Sequence, residues 1–166
     1  MARKTAAEQR AAKAAEATVP RRMPIDYRWE TLGGPIEAEI KAAKVAGREA
    51  LSFEGWRIKI PNSIMLGLMN NTMRALARTD EIEQAIGDNE PTSAQIVEFT
   101  DGYTMLLNFL KAHVVDWDFV DAEGEPIPHS EEEWDRMPGQ LVMASFRTIQ
   151  TSVNNPPKAS GSGLTS

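Results

Sequence analysis

The chain has no cysteine and only two histidines, His113 and His129. Without cysteine there is no disulfide framework and no thiolate chemistry, which fits a reducing cytosol. A structural zinc site needs four ligands, usually Cys and His, and two separated histidines do not supply them. No apolar run approaches the roughly 20 residues of a membrane span. The basic start of the chain has no apolar stretch behind it, so it does not read as a signal peptide. Phosphate-cradling glycine loops are missing. Gly161-Ser162-Gly163 lacks the strand and helix that a nucleophile elbow requires. Acid–base catalysis needs environments that push two pKa values apart, and the abundant carboxylates show no such pocket. The expectation is therefore a protein without catalysis, cofactor or metal.

Basic residues are also missing where acids are densest. The 166 residues carry a net charge of −6, unevenly spread. Residues 1–28 hold seven basic groups against three acids, whereas residues 80–135 hold sixteen acids against one base, Lys111. Such an acidic body repels phosphates and favours basic protein partners, so nucleic acid is an unlikely ligand and a regulator working through the basic arm is disfavoured. Apolar residues make up 42 % of the chain, enough for a core.

Periodicity predicts a mostly α fold: one small helical domain with a short β-hairpin, over residues 25–153. A basic, Ala-rich arm (1–24), helical or disordered, precedes it and a disordered tail (154–166) follows. The arm has no large apolar residue before Val19, so a helix there has nothing to bury. Residues 23–50 stay open between a short strand at Ile36, Ala38 and Ile40 and a helix from Glu37 to Ala50. Leu51 and Phe53, a Glu54-Gly55 turn, and Trp56, Ile58 and Ile60 predict the hairpin. Asn62 or Ser63 caps a helix to about Arg78, with Met65, Leu68, Met69, Met73 and Leu76 on one face. Thr79 or Asp80 starts a short second helix closed by Gly87. Pro91-Thr92-Ser93 opens the longest helical pattern, Ile96, Phe99, Tyr103, Leu107, Leu110 and Val114, which Asp101-Gly102 kinks or splits. Ser130 and Glu133 form a capping box, and a last helix carries Leu141, Val142, Phe146, Ile149 and Val153.

The segment Val114-Val115-Asp116-Trp117-Asp118-Phe119-Val120-Asp121-Ala122-Glu123-Gly124-Glu125-Pro126-Ile127-Pro128 is rich in carboxylates but has no base or thiol beside them. Counted as a calcium loop from Asp116, it has Val120, Asp121 and Ile127 where a ligand, a glycine and a glutamate are needed, so the geometry fails. His113 reads as a cation ending a helix. Trp117 either buries its ring while Asp116 and Asp118 stay wet or offers a contact anchor, and Trp134 among its acids does likewise. Trp56 reads as core. The Met65, Met69, Met73 stripe is either core or an adaptable apolar surface.

From Tyr103 to Gln150 the chain resembles the tail assembly chaperones of long-tailed bacteriophages. The resemblance rests on the apolar helix (Leu106, Leu107, Leu110), the Trp117 segment, the capped turn at 129–134 and the final amphipathic helix. It implies a small helical protein of the host bacterial cytoplasm, absent from the finished virion. Such chaperones coat and solubilise the tape measure protein and help recruit tail tube protein; self-association is allowed for. On this reading the partner-binding residues are Trp117, Phe119, Asp116, Asp118, Tyr103, Met65, Met69 and Met73. The resemblance also implies a longer product made by frameshifting near the end of the frame, and Pro157-Lys158 can be encoded as CCA-AAR, which permits the slippery heptamer C-CCA-AAR. The alternative is a structural virion component, a head–tail connector or tail completion protein.

Overall fold

The structure, a computed structural model, describes residues 6–8 and 26–155. The expected arm lies almost wholly outside the described residues, and so does the tail beyond Asn155. Within them the fold is mostly α, a small single domain with one three-stranded antiparallel sheet. In chain order the elements are β1 (Tyr27–Thr31), α1 (Glu37–Val45), β2 (Arg57–Pro61), α2 (Leu66–Ile86), α3 (Ser93–His113), β3 (Asp116–Trp117), a 3-10 turn (Glu132–Arg136) and α4 (Gly139–Asn154).

The sheet order is β1-β2-β3. Arg57–Pro61 alternates as its sequence demands. Ile58 and Ile60 are fully buried, while Arg57 and Lys59 face outward with Trp29 of β1 lying under both cations. The expected hairpin partner is corrected. Leu51–Phe53 does not pair with β2. Glu54-Gly55 does turn, with Gly55 at φ +88° and the Trp56 amide donating to the Phe53 carbonyl. The strand beside β2 is Tyr27–Thr31, with Trp29 opposite Lys59. Residues 37–45 settle as helix. Glu39 starts it by accepting from the Ile36 amide (3.0 Å), and ties it to α4 through a two-pronged ion pair with Arg147 (2.9 and 3.1 Å).

The expected break at Thr79-Asp80 is absent, and α2 runs unbroken from Leu66 to Ile86. Thr79 does not cap; its hydroxyl donates back to the Ala75 carbonyl (2.9 Å). α3 begins as its sequence says, with Thr92 and Gln95 exchanging cap hydrogen bonds. Gly102 does not split it. It is buried where α3 crosses α2, and an added Cβ would collide with Thr79 Oγ1 and come within 3.3 Å of the Ala75 carbonyl oxygen. The glycine permits close helix approach within an unbroken helix.

One core joins Ile58 and Ile60 to Leu106, Phe109 and Leu110 of α3 and to Leu141, Val142, Phe146 and Ile149 of α4. Apolar residues recur every three or four positions, so α4 turns a continuous face inward, and α3 does so from Gly102 onward.

Candidate partner-binding groove

The acidic Trp117 segment is a folded plug rather than a surface. Period two puts Asp116 and Asp118 on one face of the strand and Trp117 and Phe119 on the other. Trp117 is 6 % exposed and Phe119 is fully buried. Their rings stack at 5.0 Å, and Trp134, also fully buried, meets Trp117 edge-on at 5.2 Å. Trp117 Nε1 donates to the Ile127 carbonyl (2.8 Å), so the Pro126-Ile127-Pro128 exit folds back over the ring. Trp117 and Phe119, expected as contact residues, and Trp134, open between core and contact, have no surface to offer a partner.

The three aspartates of this segment are engaged. Asp118 accepts from the Arg57 backbone amide (2.6 Å) and from its Nε (2.7 Å). Asp121 Oδ1 accepts from the amides of Glu123 (3.0 Å) and Glu125 (2.9 Å), closing a turn in which Gly124 takes φ +85°. Asp116 accepts from the Trp117 amide (2.9 Å). Among the described residues no group of three or more His, Asp or Glu is placed to hold a metal ion.

His113 ends α3 as expected, and there it is buried and serves as a bridge. Nδ1 lies 2.8 Å from the Phe109 carbonyl and so donates there. Nε2 accepts from the Met65 amide (3.4 Å), which ties the start of α2 to the end of α3.

The methionine stripe divides. Met69 is core at 4 % exposure, whereas Met65 (58 %) and Met73 (37 %) are at the surface. They lie two turns apart, so the structure brings the three methionines together only as a stripe whose middle member is covered.

What the structure gathers instead is a groove of about 530 Å³ between α2, α3 and α4. Leu76, Phe99, Tyr103 and Met143 supply its apolar surface, and Asp80, Glu83 and Glu39 its carboxylates. Glu39 is held by Arg147, but Asp80 and Glu83 have no side-chain partner among the described residues. Phe99 is 45 % exposed, and Ile96, one turn earlier on the same stripe, is also exposed. Burial raises the Tyr103 phenol above its usual 10.0, and the nearby Asp135 carboxylate adds to the shift. Of the expected binding residues only Tyr103 lines this groove. Phe99, Asp80 and Glu83 were missed as a set, although i, i+3 and i, i+4 spacing already joins Ile96, Phe99 and Tyr103.

No helix among the described residues is long and apolar enough to cross a membrane. Compared with protein-family models, curated proteins and solved structures, the chain matches none.

Proposed function

We propose that this protein is a non-catalytic holding protein of phage tail assembly, which keeps a tape measure protein soluble and helps bring tail tube protein to it. The observation that carries this reading is the groove. An exposed aromatic stripe beside carboxylates that have no partner among the described residues suits the apolar face of a helix flanked by Lys or Arg. The resemblance from Tyr103 to Gln150 names the partner. Tape measure proteins are long and helical, and before assembly they expose apolar faces that need cover. The large acidic excess keeps a loaded complex in solution and discourages self-collapse. On this reading the protein works in the host cytoplasm and leaves before the virion is complete, and a frameshift at Pro157-Lys158 yields its longer form. Codons CCG or CCT at Pro157 would exclude that heptamer.

The test is co-expression with the long helical protein encoded downstream. The partner is expected to become soluble and to co-purify, and Phe99→Asp is expected to abolish both while leaving the circular dichroism unchanged. If the partner stays insoluble and this chain is instead found in purified virions, the protein is a structural subunit.

A further inference from the structure

β1 is an edge strand, and among the described residues no strand pairs with its free side. In the β1–β2 ladder the Leu32 amide donates to the Trp56 carbonyl and the Asn62 amide donates to the Asp26 carbonyl. Antiparallel pairing alternates, so the even-numbered residues of β1 face β2 and the odd-numbered ones face away. The backbone N–H and C=O groups of Tyr27, Trp29 and Thr31 therefore point outward, and no hydrogen bond to them is found among the described residues. Edges are usually blunted by proline, lysine or a bulge. Tyr-Arg-Trp-Glu-Thr has none of these and is rich in strand formers.

At the Glu30–Thr31 end of the strand a cleft of about 530 Å³ opens against Thr148, Thr151 and Asn155 of α4.

The inward side chains decide which strand fits. Arg28 and Glu30 point to the helix side of the sheet, half-buried. Arg28 Nε bonds Glu30 Oε1 (2.6 Å), and Ser152 Oγ accepts from Arg28 (2.6 Å) and donates to Glu30 (2.5 Å). An inward charge normally repels an added strand, because the newcomer buries it without a counter-charge. A second copy of this strand avoids that cost. Antiparallel pairing centred on Trp29 sets Trp29 against Trp29, Tyr27 against Thr31, and Arg28 against Glu30 of the other copy, twice over. Every charge meets its opposite, and aromatic and β-branched side chains line the outer face. The match is self-complementary, as a two-fold interface must be.

We propose that β1 is a dimerisation strand, pairing antiparallel with β1 of a second copy, in register about Trp29, so that one sheet runs through both molecules. This surface lies apart from the groove and stands whether or not the chaperone reading holds.

Sedimentation velocity of the full chain from low to high micromolar tests it. The wild type is expected to pass from monomer to dimer. Thr31→Pro removes only an outward N–H and spares the β1–β2 ladder, so it is expected to stay monomeric with an unchanged thermal melt. Arg28→Glu and Glu30→Arg are each expected to be monomeric alone and to form a mixed dimer when combined. In hydrogen exchange the amides of Tyr27, Trp29 and Thr31 should slow only as concentration rises. A wild type that stays monomeric, a Thr31→Pro chain that still dimerises, a mixture that does not pair, or edge amides slow at every concentration would each overturn the proposal.

Discussion

The Trp117 segment and the α2–α4 groove are both acidic and both aromatic, yet they do opposite work. In the first, the rings are stacked and covered, and the main carboxylates accept from amides or from Arg57. In the second, Phe99 is half in water and the side chains of Asp80 and Glu83 have no partner among the described residues. Composition cannot tell them apart. Partnership can: a carboxylate that already has its hydrogen bonds stabilises its own chain, whereas an unpaired one beside an exposed ring is available to another molecule. The candidate binding face follows the unsatisfied groups, not the density of acids.

The largest effect that separates the two regions is expected in the plug. Trp117→Ala removes a stacked core ring and its hydrogen bond to Ile127, at about 3–5 kcal/mol. Against a typical domain stability of roughly 5–15 kcal/mol, much of the protein would melt early in a thermal scan. A variant that melts like wild type but loses its partner would reverse the assignment and make the plug the contact. Gly102→Leu comes next, at about 1–3 kcal/mol or more, because the new side chain must force α3 away from Ala75 and Thr79. Since that crossing lies beside the groove, urea unfolding and partner capture are expected to fall together.

Charge reversal at the rim should act the other way round. Asp80→Lys with Glu83→Lys alters exposed side chains that have no partner among the described residues, so stability is expected to move by no more than about 0.5 kcal/mol. Association with a basic helical partner is expected to slow and to lose much of its salt dependence in surface plasmon resonance. Unchanged rates at low salt would remove the groove from the account.

Much of this was legible in residue spacing. The opening of α3 at Thr92 and the stripe of α4 are local patterns that reach the structure intact, whereas only the Ser130 half of the box at Ser130 and Glu133 forms and the Ile96–Phe99 end of the α3 stripe stays exposed. β1 was hidden because its partner is about thirty residues away, and nothing within Tyr27–Thr31 points to Arg57–Pro61. Thr79-Asp80 resembles a cap, but the threonine hydroxyl had a carbonyl four residues back, and α2 continued. Gly102 carries the same letter whether it breaks a helix or admits a neighbour; only the crossing with α2 decides. The burial of Trp117 was readable. Alternation in Asp-Trp-Asp-Phe puts both rings on one face and both acids on the other, a pattern for a strand half in a core.

The smallest expected effect concerns Tyr103, where the groove approaches the 3-10 turn below the plug. Burial, and then the Asp135 charge, disfavour its phenolate, so the folded state ionises at higher pH than the unfolded chain. The stability tied to the neutral phenol is complete below the ordinary value of 10.0 and is lost as pH rises through the folded value. Tyr103→Phe is therefore expected to flatten the alkaline fall in melting temperature without changing it at neutral pH. The chain has only two tyrosines, so Tyr27→Phe leaves Tyr103 as the sole source of tyrosinate absorbance. A partner lying in the groove would dehydrate the phenol further and move that titration to still higher pH. A titration that ignores a bound partner would place the partner elsewhere on the molecule, because a helix covering Phe99 cannot leave Tyr103 as wet as before.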